Sequence, residues 1–157
     1  MAGVLLLGAA TLASGCASSG SVGAGGSSSD GGPDTPGPAP TAPGQYRVLP
    51  PAGWSSCKGS CNLPPEPQVT VKDATGRLVG LVILPAARED KPKRMQLRVC
   101  QYRKAGDVWN YDPGACQQQL VAEGSDYSAY GLGIHVLHLW WNRDAKSDAL
   151  DVSVTTS

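Results

Sequence analysis

The cysteines and histidines are the chain's clearest candidates for chemistry, and their spacing limits what they can do. Cys16 stands alone near the N-terminus, whereas Cys57, Cys61, Cys100 and Cys116 lie in the body of the chain. Cys57 and Cys61 have tolerable zinc-ligand spacing, but Cys100 and Cys116 are too far apart to complete such a site, so no metal is expected. His135 and His138 lie at odd separation in an apolar run. On an unbroken strand they would face opposite sides and could not share a metal, and each reads as a structural histidine. No nucleophile elbow, phosphate-binding glycine loop or metalloprotease motif is present. A Ser, a His and an Asp could still meet in space, but nothing in the chain singles out such a set. Neither a catalytic residue nor a cofactor is expected, and the chain does not read as an enzyme.

Aromatic side chains offer more. Phe is absent, so the aromatics are 4 Trp and 5 Tyr, all with polar edges suited to a wet interface. Trp109 and Tyr111, in the run Trp109-Asn110-Tyr111-Asp112-Pro113, could form a platform for sugar rings, peptide prolines or a protein partner. They could equally fold back to cap one end of the domain. Trp140 and Trp141 are consecutive, so on a strand one enters the core and the other faces a second layer, solvent or a partner. Between Arg88 and Lys104 the basic residues outnumber Glu89 and Asp90. Arg94 and Arg98 would share one strand face there, either as the rim of a patch for an acidic polymer, lipid head groups or an acidic partner, or as a solvated face that discourages aggregation. Over the whole chain 13 basic side chains balance 13 acidic ones, which argues against nucleic acid.

Cys16 follows an apolar run, Val4 to Ala13, and the small residues Ser14 and Gly15. The run is shorter than the roughly 20 residues that span a bilayer and has the length of a signal-peptide core. The segment resembles the lipobox of bacterial lipoproteins, with Leu12 one position before the place the motif gives leucine. The resemblance implies that residues 1–15 are a signal peptide and that Cys16 is lipidated. It also implies that the mature chain is extracytoplasmic and tied to the cell envelope by its N-terminal lipid. In a cell with two membranes, Ala17 would imply the outer one. Met1-Ala2-Gly3 lacks the positive charge usual before such a run, so a start upstream of Met1 is expected. Residues 16–45 are dominated by Ser, Gly, Pro, Ala and Thr and should form a disordered linker, spanning roughly 30 Å as a coil and about 100 Å at full extension.

The remaining residues, 46–157, must position the candidate groups. Their apolar period is two. Val69 and Val71 share a face, and Asp73-Ala74-Thr75-Gly76 has turn chemistry before the apolar run from Leu78 to Leu84. Met95, Leu97 and Val99 alternate with polar neighbours. Leu132 to Trp141 reads as a strand covered on both faces, and Leu150, Val152 and Val154 alternate to the end. No convincing helical stripe appears. The pattern predicts an all-β domain, a small antiparallel β-sandwich of immunoglobulin-like or transthyretin-like type.

If Met95, Leu97 and Val99 face the core, Cys100 points outward beside Arg98. In the oxidising compartment that export implies, a disulfide is then expected. Its nearest candidate partner is Cys116, closing a loop of roughly 15 residues worth about 3 kcal/mol in the chain-entropy picture. Cys57 and Cys61 would form the second bridge; four cysteines permit three connectivities in all.

The strand Leu97-Arg98-Val99-Cys100-Gln101-Tyr102 resembles a Val-Arg-Val-Tyr-Gln-Leu strand of the small lipoprotein of the type VI secretion membrane complex, and Ile134 to Leu139 has a counterpart there. That family has a transthyretin-like sandwich and binds an inner-membrane partner, although the segment from Leu120 to Tyr130 is shorter here. The expected function is therefore a non-catalytic binding or assembly module of the envelope. Its contact residues would be Trp109, Tyr111 and one of Trp140 or Trp141, with Arg94 and Arg98 at the rim. Its partner would be an envelope protein, as for a structural lipoprotein of a secretion complex, or a cell-wall polymer or glycan.

Overall fold

A computed structural model describes residues 35–54, 66–142 and 147–157. Cys16, Cys57 and Cys61 lie outside the described residues. Eight strands follow in chain order: β1 (Gln45–Val48), β2 (Val69–Lys72), β3 (Leu78–Asp90), β4 (Lys93–Ala105), β5 (Val108–Val121), β6 (Asp126–Ala129), β7 (Leu132–Trp140) and β8 (Ala149–Thr156). No α-helix occurs among the described residues. Two four-stranded antiparallel sheets pack face to face, the first in the order β1-β8-β7-β6 and the second in the order β2-β3-β4-β5. The expected all-β sandwich is thus present. Each sheet is a meander, with β1 joining the first by pairing with β8. That order differs from the immunoglobulin one, in which crossovers interleave the strands of the two sheets.

The period-two pattern explains the layers. Val79, Leu81 and Ile83 of β3 and Met95, Leu97 and Val99 of β4 are fully buried and face the first sheet. Leu132, Ile134, Val136 and Leu139 of β7 meet them with Leu150 and Val152 of β8. Short turns set the register. Asp73 Oδ1 accepts bonds from the backbone of Thr75 and Arg77 and from the Thr75 hydroxyl, and Gly76 takes the left-handed φ of 81° that closes the β2–β3 turn. Tyr130 (φ 53°) and Gly131 (φ 74°) join β6 to β7 in the two-residue turn that suits strand twist.

Three bulges bend the strands. In β3 the register shifts between Leu84 and Glu89, where Pro85 has no N–H to give the ladder. That bulge carries Arg88 to the first sheet, where it pairs with the buried Asp148 at 3.0 Å and stands 4.3 Å over the Trp141 ring. The pairing of β4 with β5 shifts between Cys100 and Tyr102, and again a proline, Pro113, lies in the extra segment. The third shift falls between Val136 and His138 of β7.

The folded part starts before Tyr46. β1 begins at Gln45, and Val154 N–H donates to the Gly44 carbonyl at 2.7 Å. Further back, the Arg47 guanidinium donates to the carbonyls of Gly37 and Pro38. The Pro-rich end of the expected linker is therefore docked: its exposed carbonyls meet a cation that the strand holds in place.

Candidate functional site

β4 and β5 run past the core as a two-stranded arm. Beyond Cys100 the pairs are Tyr102 with Tyr111, Arg103 with Asn110, Lys104 with Trp109 and Ala105 with Val108. Alternation puts Tyr102, Lys104, Trp109 and Tyr111 on one face of the arm. On β4 this face continues the outer side of the second sheet, through Cys100 and Arg98. The Tyr102 and Tyr111 rings lie tilted with centroids 6.1 Å apart. Tyr102 and Pro67 also cover Gly80, where an added Cβ would lie 2.5 Å from Pro67 and 2.9 Å from Tyr102. Burial, reinforced by the charge of Glu66 and by Tyr111, raises the Tyr102 phenol above its ordinary pKa. At the arm's tip Val108 is 61% exposed. Among the described residues, neither Trp109 nor Tyr111 belongs to the core cluster or packs against it.

A staple fixes the base of this arm. Cys100 and Cys116 are direct cross-strand partners and form the disulfide that the alternation of β4 points to. Cys100 faces away from the core as expected, yet it is fully buried under its neighbours. Arg98 Nε donates to Cys100 Sγ at 3.4 Å and Nη2 to Cys116 Sγ at 3.3 Å. The Tyr111 hydroxyl lies 3.8 Å from each sulfur. Just beyond, Gly114 N–H donates to Asp112 Oδ1 at 3.0 Å, Arg103 pairs with Asp112 at 2.6 Å, and Arg98 Nη2 donates to the Pro113 carbonyl at 3.2 Å. The bulge thus holds Tyr111 beside the disulfide.

Three arginines of the basic stretch each face a carboxylate. Arg88 faces Asp148, Arg94 lies 3.7 Å from Glu89 and Arg103 faces Asp112. Arg94 and Arg98 share a side of β4, Arg94 beside Glu89 and Arg98 against the staple.

The tryptophans of β7 divide as their parity requires. Trp141 is buried in the core, whereas Trp140 is partly exposed on the outer side of the first sheet. Trp140 Nε1 donates to Asp151 Oδ2 at 2.7 Å, the His138 ring stands T-shaped to the indole with centroids 4.2 Å apart, and the Arg47 guanidinium stands 5.4 Å from the Trp140 ring. This packing uses Trp140 inside the domain. The expectation that His135 and His138 face opposite sides is corrected. Leu137 is the extra residue of the β7 bulge, so the parity of the strand resets between them. Both histidines point outward, His135 to Asp126 and His138 to Glu123, each at 2.8 Å. No group of three or more possible metal ligands occurs among the described residues.

Two features lay outside the expected set. Tyr102 joins the arm's aromatic face, and extending the alternation that placed Cys100 would have found it. A cleft of about 480 Å³ is bordered by Leu49, Pro51 and Trp54, with Arg47, Gln68 and Asp148. Gln68 is bonded to the Pro50 carbonyl, Arg47 to Asp151 and Asp148 to Arg88, so these polar groups are turned to the protein. No sequence pattern marks this cleft. The chain matches no protein-family model, no curated protein and no solved structure.

Proposed function

We propose that the chain is an envelope lipoprotein, anchored through Cys16, whose β-sandwich is a non-catalytic binding module with the β4–β5 arm as its contact surface. The observation that carries the binding part is the arm itself. Tyr102, Trp109 and Tyr111 with Lys104 share one face outside the core, on a support pinned by the disulfide. Aromatic rings on a rigid support lose little conformational freedom on binding and supply large amphipathic contact area. Support for the anchor comes from Cys16, its apolar leader and the lipobox-like residues before it.

The partner is an envelope protein in this reading, and wall polymer is the competing ligand. Crosslinking in cells from a photoreactive group at Lys104, followed by mass spectrometry, should recover a specific membrane protein. Trp109→Ala and Tyr111→Ala should each weaken that recovery about tenfold or more, as expected of central aromatic contacts. Unchanged crosslinking in both variants would remove the arm as the site, and recovery of glycan alone would replace the protein partner with polymer. Labelling with a lipid precursor, lost in Cys16→Ala, tests the anchor; an unlabelled wild type rejects it.

A further inference from the structure

We propose that the Cys100–Cys116 disulfide is exchange-active, with a thiol-bearing molecule as co-substrate and Arg98 as the group that stabilises the reduced form. The proposal does not depend on what the arm binds.

Three observations lead to it. The first is where Arg98 spends its charge. Arg47, Arg88, Arg94 and Arg103 each face a carboxylate, at 2.8, 3.0, 3.7 and 2.6 Å. Arg98 has no carboxylate partner among the described residues; its guanidinium lies 3.4 and 3.3 Å from the two sulfurs and 3.2 Å from the Pro113 carbonyl. A neutral disulfide gains little from a full positive charge, but a thiolate gains a great deal, because the charge lowers its pKa and holds it in place. The second is Tyr111, whose hydroxyl oxygen is 3.8 Å from both sulfurs. The third is access. Cys116 lies on the edge strand β5 and is only half-buried, whereas Cys100 is fully covered. Asp112, in the same bulge, faces Arg103 at 2.6 Å.

These positions assign the order of events. A co-substrate thiolate attacks the accessible Cys116 Sγ, a sulfur–sulfur bond forms between them, and the Cys100–Cys116 bond breaks. The electron pair leaves on Cys100 Sγ, where Arg98 Nε–H and the Tyr111 hydroxyl stabilise the thiolate. A second thiolate of the co-substrate then attacks its own sulfur in the mixed disulfide and expels the Cys116 thiolate. The co-substrate dithiol is oxidised to a disulfide and the chain gains two electrons. The two protons of the dithiol pass to solvent or to the cysteines. Stabilising the reduced form in this way makes a disulfide more oxidising than a purely structural one.

The test equilibrates the full-length chain in glutathione buffers of graded ratio, traps thiols by alkylation and follows the peptides that hold Cys100 and Cys116. The wild-type pair should interconvert within that range. Arg98→Gln should shift the equilibrium about tenfold toward the disulfide, about 30 mV for this two-electron couple. A pair that stays oxidised in every buffer, or an Arg98→Gln equilibrium equal to wild type, overturns the proposal. If Arg98→Gln does not fold, the reduced wild-type chain decides. Alkylation rate against pH should report a thiol ionising below the ordinary value of about 8.5, and an inflection at or above that value rejects the assignment.

Discussion

Asp151 shows how a single carboxylate can organise one face of the domain. It is 7% exposed on β8, takes two bonds from Arg47 at 2.8 and 2.9 Å, and takes a third from Trp140. Burial pushes its carboxyl up, but the bonds from Arg47 and Trp140 and the Arg47 charge outweigh burial and hold its pKa below the ordinary Asp value. Bonding to Asp151, opposed by burial, raises Arg47 in turn. Asp151→Asn would keep the shape and an acceptor for Trp140 while leaving the Arg47 cation without its counter-charge. Removing one member of a covered ion pair costs about 3 kcal/mol, read from urea unfolding at neutral pH. The pH dependence gives a second, independent check. A carboxyl whose folded pKa lies below its unfolded one contributes fully above the unfolded value, about 3.9, and loses that contribution as pH falls toward the folded pKa. The stability gap between wild type and Asp151→Asn should therefore narrow as pH falls below about 4. A gap that persists unchanged to pH 2 would show that Asp151 acts through packing and not through its charge.

At the scale of the strand, the β7 bulge decides which side chains the first sheet presents. Val136 pairs with Val152 and His138 with Asp151, so Leu137 has no partner opposite it. Without Leu137 the order inward Val136, outward His138, inward Leu139, outward Trp140 and inward Trp141 is an unbroken alternation. Deleting one residue from a paired strand normally turns every later side chain to the wrong face. Deleting Leu137 should instead leave the native pairing intact, at a cost of about 1–2 kcal/mol for one half-buried leucine. Deleting Ile134, inside the continuous part of the strand, should abolish cooperative unfolding. Equal damage from both deletions would refute the parity argument. The same bulge explains what could be read from the residues alone. Where a strand is continuous, alternation placed Met95, Leu97, Val99 and the outward Cys100, and from them the staple. It failed for His135 and His138 because a bulge adds one residue without changing the chemistry around it: Leu137 looks like its neighbours. The bulges of β3 and β5 are better marked, by Pro85 and Pro113, which cannot serve in an unbroken ladder. Pairing of Arg94 with Glu89 and of Arg98 with the sulfurs had no such marker, because it depends on which strand lies alongside.

For the molecule as a whole, the boundary between the expected linker and the domain matters because it decides which residues the fold must hold in place. Composition alone places the tether through residue 45, since Thr35 to Pro43 has almost no apolar surface to bury. Contacts from elsewhere in the chain change that. Arg47, fixed by Asp151, donates to the carbonyls of Gly37 and Pro38; Gly37 lies against the Trp140 ring; and Gly44 extends the pairing of β1 by accepting from Val154. Bonds from a charged donor contribute more than neutral ones, and prolines in this stretch reduce the freedom lost on docking. A chain beginning at Gln45 should therefore be less stable than one beginning at Thr35 by about 1–3 kcal/mol. Asp151→Asn should shrink that difference, because a guanidinium released from Asp151 no longer holds its position under Gly37 and Pro38. The two changes thus couple although they lie at opposite ends of the chain. A double-mutant cycle on the two starts, with and without Asp151→Asn, measures the coupling directly. Strict additivity would mean that the segment docks without Arg47, and equal stability of the two wild-type starts would return residues 35–44 to the tether.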